Sequence, residues 1–254
     1  MFLCAVARPC YDYTSKHWFE GKLGIWPFVK RARVKRNSKN PKAGTIVDTP
    51  VSVTAPVYKA MIVENLLTAI KAKWPRSTTQ RLKIQEDNAS PHSTTNALTI
   101  GQEALLKHSL HVEVVKQPPR SPTFNALDCG IFNSIQKKVY EASPKSIKEL
   151  ISCVKSAFDS LHRNTIDDVF LSVQSSMRDS LKCDGDNTIP LSHMGKARLC
   201  HGGQLSLVVS VDYNLLSRAW NFLERTEPEP DSGSDCDSSV ASQSDYDAMS
   251  ETEH

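Results

Sequence analysis

Apolar and polar positions along the chain change period several times, and each change predicts an element. Phe2 to Ala7 is a short continuous apolar run closed by Arg8-Pro9, the pattern of a buried strand. Leu23 to Val29 (LGIWPFV) predicts a second strand, which Pro27 places at an edge or a bulge because proline brings no N–H to a ladder. From Thr54-Ala-Pro56 the spacing becomes helical: Tyr58, Ile62, Leu66, Ala69 and Ile70 recur on one face as far as Trp74-Pro75. Leu82 to Gln85 is again strand-like, residues 96–110 are weakly helical, and His111 to Val115 (HVEVV) predicts another strand. The segment QPPRSPTFN is a rigid loop, since closely spaced prolines bar both helix and sheet.

Asp128 then stands at the start of a helix running to about Glu141, with Ile131, Ile135 and Val139 on one face. Ser143-Pro144 predicts an N-cap and a first helical position, followed by a stripe of Ile147, Leu150, Ile151, Val154, Phe158 and Leu161. Thr165 with Asp168 resembles a capping box and starts the next helix, with Val169, Phe170, Val173 and Met177 expected inside. The sum is a mixed α/β plan in which Asp87 follows a strand and Asp128 opens a helix.

Charge divides the chain. Residues 1–120 hold 19 Lys+Arg against 8 Asp+Glu, residues 121–223 hold 11 against 10, and residues 224–254 hold 1 against 10. A basic half joined to an acidic tail suits a polyanion partner, because clustered cations gain affinity from the counterions that phosphates release. The densest basic stretch, KRARVKRNSKNPK, contains Lys30, Arg31, Arg33, Lys35, Arg36, Lys39 and Lys42. It fits a DNA-backbone contact, a nuclear localisation signal and a solvated loop alike. From Glu227 the composition of Asp, Ser, Glu, Gly and Pro leaves little to bury, which predicts disorder. The seven cysteines are scattered without a Cys-x-x-Cys pair and read as free thiols of a reducing compartment. The opening apolar run is too short for a signal-peptide core or a membrane span, so a soluble intracellular protein is expected.

Acids distant in sequence that converge on one spot are what two-metal phosphoryl transfer requires. Magnesium takes hard oxygen ligands, and two ions about 3.5–4 Å apart activate the attacking oxygen and stabilise the leaving one. Here two segments carry a specific resemblance. IQEDNASPH resembles the Gln-x-Asp-Asn-Ala-x-Pro-His motif around the second catalytic aspartate of mariner-like transposases, and QPPRSPTFNALDCGIFNSIQ resembles the family's segment around the third acid. Their aspartates, Asp87 and Asp128, lie 41 positions apart, close to the spacing of the subgroup whose third acid is aspartate. IPLSHMGKARL, KLGIWPFV and AIKAKWP are also similar to segments of that subgroup, so the resemblance spans roughly residues 1–205.

The resemblance implies an RNase H-like (retroviral-integrase-like) α/β catalytic fold that cuts and rejoins DNA with two Mg²⁺ ions, in a nuclear protein that the family allows to be a homodimer and that has no membrane partner. It assigns Asp87 and Asp128 as metal-binding carboxylates, Asn88 and His92 as positioning residues, and Asn125 as a cap for the helix bearing Asp128. It divides the chain into a partial catalytic domain (1–142), a C-terminal helical extension (143–223) and a disordered acidic tail (224–254). The family's first catalytic aspartate lies on a strand upstream of one resembling MFLCAVARP. In this sequence Asp12 and Glu20 are the only acids in the first 47 residues, and neither sits in a matching motif. The expectation is therefore an N-terminally incomplete transposase remnant that is inactive alone. The alternative is a co-opted DNA-binding or protein-interaction module that uses the basic segment, with Lys30, Arg31, Arg33, Lys35, Arg36 and Lys39 on DNA, and the acidic tail.

Other groups read more plainly. His108 and His111 are expected at the surface, Cys129 in packing, and Trp18, Trp26, Trp74 and Tyr58 in the core. Ser242 before Asp245 is a phospho-acceptor pattern common to acidic tails.

Overall fold

The structure is a computed structural model and describes residues 1–36, 42–76, 81–92, 94–191, 194–202 and 205–226. The first strand, β1 (Phe2–Val6), buries Cys4 and is half-buried elsewhere, with packing on both faces. Its odd positions Leu3 and Ala5 pack into one core and its even positions Phe2, Cys4 and Val6 into another, as strand alternation requires. A short hairpin, β2 (Cys10–Asp12) with β3 (His17–Phe19), leads to β4 (Lys22–Pro27). β4 pairs antiparallel with β1, Leu3 opposite Trp26, with a bulge between Ala5 and Val6. Pro27 is its last residue, where no ladder N–H is needed.

Within the basic stretch Lys30 to Arg33 form part of a strand instead of a loop, Lys35 and Arg36 lie beyond it, and residues 37–41 lie outside the described residues. β5 (Val29–Arg33) pairs antiparallel with β6 (Ile46–Pro50), Arg31 opposite Asp48. Among the described residues neither strand pairs with another sheet. Next comes the predicted helical run, α1 (Ala55–Met61) and α2 (Leu67–Lys73) joined by a widened π turn at Ile62–Leu66 that buries Ile62, Val63 and Leu66 together. β7 (Arg81–Glu86), α3 (Thr94–His108) and β8 (His111–Lys116) make a strand–helix–strand unit whose strands pair in parallel, Leu82 beside Val112.

A 3₁₀ turn at Pro122–Phe124 and a π turn at Leu127–Ile131, kinked at Gly130, lead into α4 (Phe132–Ala142). α5 (Ile147–Asp159) starts later than Ser143-Pro144 suggested: Ser143 ends α4 in a left-handed conformation (φ 45°). The working cap is Ser146, whose Oγ accepts from Glu149 N (3.2 Å), while Glu149 Oε2 accepts from Lys145 N (2.8 Å), the residue before the cap. α6 (Arg163–Lys182) is capped by His162 Nδ1, which accepts from Asn164 N at 3.2 Å, so it begins before Thr165. Val169 and Val173 are buried as expected, whereas Met177 is exposed. α7 (Lys196–His201) and α8 (Tyr213–Thr226) follow. α8 includes Glu224–Thr226, earlier assigned to the tail, and residues 227–254 lie outside the described residues.

The first core joins Leu3 and Ala5 to Leu23, Phe28, Tyr58, Ile62, Leu66, Ile70, Leu82, Ile100 and Ala104, placing the α1–α2 run and α3 on one side of the strands. The second joins Cys4 and Ile25 to Ile131, Ile135, Val154, Phe158, Leu161, Ile166 and Val169, placing α4, α5 and α6 on the other. The result is mixed α/β. Among the described residues no helix is long and apolar enough to cross a membrane.

Candidate active site

Asp87 is the first residue beyond β7, where the chain leaves the sheet. Its Oδ1 accepts from Ala89 N at 3.0 Å and lies 2.7 Å from His92 Nδ1, which is also 3.1 Å from the Asp87 carbonyl. Facing two oxygens, Nδ1 carries the ring proton there, and this sets the tautomer. The His92 ring lies against Tyr58 with centroids 4.0 Å apart.

Asp128 sits in the π turn before α4. Asn125 holds it from below: its Oδ1 accepts from Leu127 N and its Nδ2 donates to Asp128 Oδ2, both at 3.0 Å. Desolvation, and then the negative charge of Asp87, push the Asp128 carboxyl above its ordinary value, against the lowering effect of the Asn125 bond. The two acids therefore lie within electrostatic reach of one another.

Three hydrogen bonds close that distance. Gln85 Nε2 donates to the Phe124 carbonyl (2.9 Å), Asn88 Nδ2 to the Gln117 carbonyl (2.8 Å), and Gln117 N to the Glu86 carbonyl (2.8 Å). The proline loop is stiffened from within, because Gln117 Nε2 donates to the Ser121 carbonyl (2.6 Å) and the buried Ser121 hydroxyl donates to the Pro118 carbonyl. The polar residues of the two motifs thus bond to each other's segments.

Two residues of this neighbourhood, Glu86 and Lys116, escaped the sequence reading. The Glu86 carboxylate is buried, accepting from Tyr58 Oη at 2.7 Å on one oxygen and from Lys116 Nζ on the other. Lys116 Nζ also donates to the His92 carbonyl. Burial, then the bond to Glu86 and the charges of Glu86 and Asp87, push the Tyr58 hydroxyl up. Parity was the available signal, since Glu86 shares the inward face of β7 with Leu82 and Ile84. Tyr58 is in the core as expected, and its hydroxyl has this further partner.

The remaining candidates lie apart. Asp12 is buried and engaged by Thr14 N (3.0 Å), Ser15 Oγ (2.5 Å) and Arg76 N (3.3 Å), while Glu20 pairs with Lys22 at 2.7 Å. Lys30, Arg31, Arg33, Lys35 and Arg36 are exposed on the β5–β6 hairpin and its tip, with no ion pair among the described residues. Lys39 lies outside the described residues. Trp18, expected in the core, is on the surface under the Arg163 guanidinium, 4.4 Å from its ring centroid. Burial, and then Asp128, push the Cys129 thiol up, and its Sγ lies 3.1 Å from the Thr123 carbonyl.

One oxygen of each acid, Asp87 Oδ2 and Asp128 Oδ1, has no partner among the described residues. Both are hard donors of the kind magnesium takes. No group of three or more His, Cys, Asp or Glu side chains that could hold a metal ion occurs among the described residues. Comparison with protein-family models, curated proteins and solved structures finds no match to this chain.

Proposed function

We propose that this chain derives from a mariner-like, cut-and-paste DNA transposase, that its α/β layout is RNase H-like, and that Asp87 and Asp128 are two of that enzyme's metal-binding carboxylates. One observation carries the reading: the two segments that resemble the family are laced together by Gln85, Asn88 and Gln117, bringing their aspartates within electrostatic reach. A divalent cation would offset the desolvation and the Asp87 charge that raise Asp128, held by Asp87 Oδ2 and Asp128 Oδ1 with water filling its remaining positions. When bound, magnesium would supply Lewis-acid stabilisation of a phosphoryl oxygen. The chain's own residues do the positioning: His92 fixes Asp87, Asn125 fixes Asp128, and Asn88 holds the two loops together.

Two carboxylates are too few to hold a pair of ions, and members of a catalytic unit are strongly non-additive, so lacking one removes about 10⁴- to 10⁶-fold of acceleration. With only these two acids, the chain by itself therefore does not complete strand transfer. The test incubates the purified protein with a labelled transposon end, target DNA and Mg²⁺. No joined product is expected, and joining that Asp87→Ala abolishes would overturn the claim of inactivity. The family assignment is tested separately by isothermal titration with Mg²⁺, where Asp87→Asn or Asp128→Asn should each remove the binding heat. Heat retained in both variants would refute the metal role.

A second reading has its own support in the β5–β6 hairpin, whose exposed cations suit a non-catalytic DNA-binding module acting in the nucleus. Neutralising Arg31 and Arg33 should weaken DNA binding for all sequences alike and flatten its salt dependence by about two phosphate contacts. The Asp87→Asn/Asp128→Asn double variant should bind DNA unchanged. Absence of DNA binding at low salt would sink this reading.

A further inference from the structure

Asp87 is an exposed acid held by a more buried partner. Its side chain is 54% exposed, whereas that of His92, 2.7 Å away, is 15% exposed. Left to water, the carboxylate would turn among several rotamers, and ordering it on a ligand would subtract from affinity. The aim of Asp87 therefore depends on what fixes His92.

The turn from Asp87 to His92 bonds largely to itself: Ala89 N donates to Asp87 Oδ1, His92 N to the Ala89 carbonyl (2.8 Å), and His92 Nδ1 to the Asp87 carbonyl. Such bonds shape the turn without placing it on the sheet. Asn88 places its early end, through the Gln117 carbonyl. Its late end is placed by Lys116, whose Nζ donates to the His92 carbonyl, and by Asn96, whose Nδ2 lies 3.2 Å from the Pro91 carbonyl. Asn96 divides that amide with the Ala55 carbonyl, which is nearer at 2.8 Å. Lys116 brings a full charge, and a charged donor makes the stronger bond.

The sheet aims Lys116 in turn. Lys116 stands beside Glu86 in the parallel ladder of β7 and β8, and its ammonium meets the buried Glu86 carboxylate. A lysine stem ordinarily keeps its rotameric freedom, but here a buried anion sets its direction, and the His92 carbonyl takes the second of its three protons. Glu86 is itself fixed, because Tyr58 Oη donates to its other oxygen.

We propose that Lys116 is a positioning residue for Asp87: its ammonium, anchored on buried Glu86, holds the His92 carbonyl, and with it the imidazole that fixes the Asp87 carboxylate for a metal ion. The role rests on the proposed metal site for its use, though not for its geometry. It is distinct from compensating the charge of Glu86. Compensation is no longer needed once both members of the pair are neutral, whereas the hold on His92 is lost with the ammonium.

Lys116→Met combined with Glu86→Gln separates the two roles, since it removes the buried charge together with its partner. Nitrogen-15 NMR of the full chain at about pH 8.5, above the ordinary imidazole pKa, reads the His92 tautomer with no metal added, and isothermal titration reads Mg²⁺. The parent should show one tautomer, with the proton on Nδ1. The double variant should show both tautomers and bind Mg²⁺ about tenfold more weakly. Lys116→Met alone, destabilised but folded, should show the same two losses, so the test does not depend on the double variant folding. Lys116→Arg keeps the charge and several donors, and it should retain the single tautomer and hold Mg²⁺ within about threefold of the parent. A tautomer unchanged in the methionine variants overturns the proposal. So does unchanged Mg²⁺ affinity in them, or an arginine variant that behaves like methionine. A parent that binds no Mg²⁺ overturns the metal reading instead, and the tautomer measurement still decides whether Lys116 positions Asp87.

Discussion

Replacing Lys116 by methionine should destabilise the protein through Glu86. The Glu86 side chain is 4% exposed, and its charge is met by Lys116 on one oxygen and by Tyr58 Oη, 2.7 Å away, on the other. Methionine keeps the length of the lysine stem and removes only the ammonium, leaving one carboxylate oxygen buried and uncompensated. Breaking a fully buried pair in this way costs about 3–5 kcal/mol. Lys116 is 32% exposed, so water can reach part of the vacated space and the cost falls to the bottom of that range or just below it, about 2–3 kcal/mol. With a urea m-value of about 2 kcal/mol/M, the unfolding midpoint should fall by about 1 M. Adding Glu86→Gln to Lys116→Met should recover most of the loss, because a neutral amide still accepts from Tyr58 and leaves no charge behind. A single variant within about 0.5 kcal/mol of the parent, or a double variant no better than the single, would refute the claim that Lys116 compensates a buried charge.

Asp128 titrates above its ordinary value because the fold disfavours its charged form, first by desolvation and then by Asp87. A raised acid subtracts stability above its folded pKa and gives it back as pH falls through that value. Asp128→Asn should therefore stabilise at pH 7 by a few tenths of a kcal/mol, given the exposure of the site, and the gain should vanish at pH 3 in thermal unfolding. Asp87→Asn should lower the Asp128 pKa in carbon-detected NMR titration, and an unmoved Asp128 would remove the electrostatic link between the acids. Gly21→Ala should cost about 2 kcal/mol or more by urea unfolding, because Gly21 has φ +80° and a Cβ there would lie 2.3 Å from the Ala7 carbonyl oxygen. Gly44→Ala, with φ +87° and nothing within 4 Å, should cost only the backbone part, about 1 kcal/mol, and equal losses at the two sites would discount the clash.

Periodicity revealed those parts of the fold that bury a stripe. β1, β7, β8 and the helical run from 55 to 73 all announce themselves through apolar spacing, because each packs into a core. The β5–β6 hairpin did not, since Lys30, Arg31 and Arg33 are all exposed and, among the described residues, its two strands pair only with each other, leaving no apolar alternation to read. The start of α5 was misplaced because Pro144 looked like a first helical residue, while the working cap, Ser146 accepting from Glu149 N, lies three positions beyond Ser143. In the acid site, positions at a strand end and a helix start were legible for Asp87 and Asp128. The bonds from Gln85 and Asn88 were not, because both end on backbone carbonyls that any residue carries, and their partners are set by how the proline loop closes. Trp18 shows the converse, a large aromatic expected inside that instead lies flat under Arg163.

The β7–α3–β8 unit has a consequence for the order of folding. Its parallel pairing, the α3 packing and Asp87 all lie within residues 81–116, so little chain entropy is lost in bringing its ends together. β1, by contrast, meets α4, α5 and α6 only after more than a hundred residues have been made. During synthesis the unit carrying Asp87 can therefore assemble first, and the loop carrying Asp128 docks onto a surface that already exists.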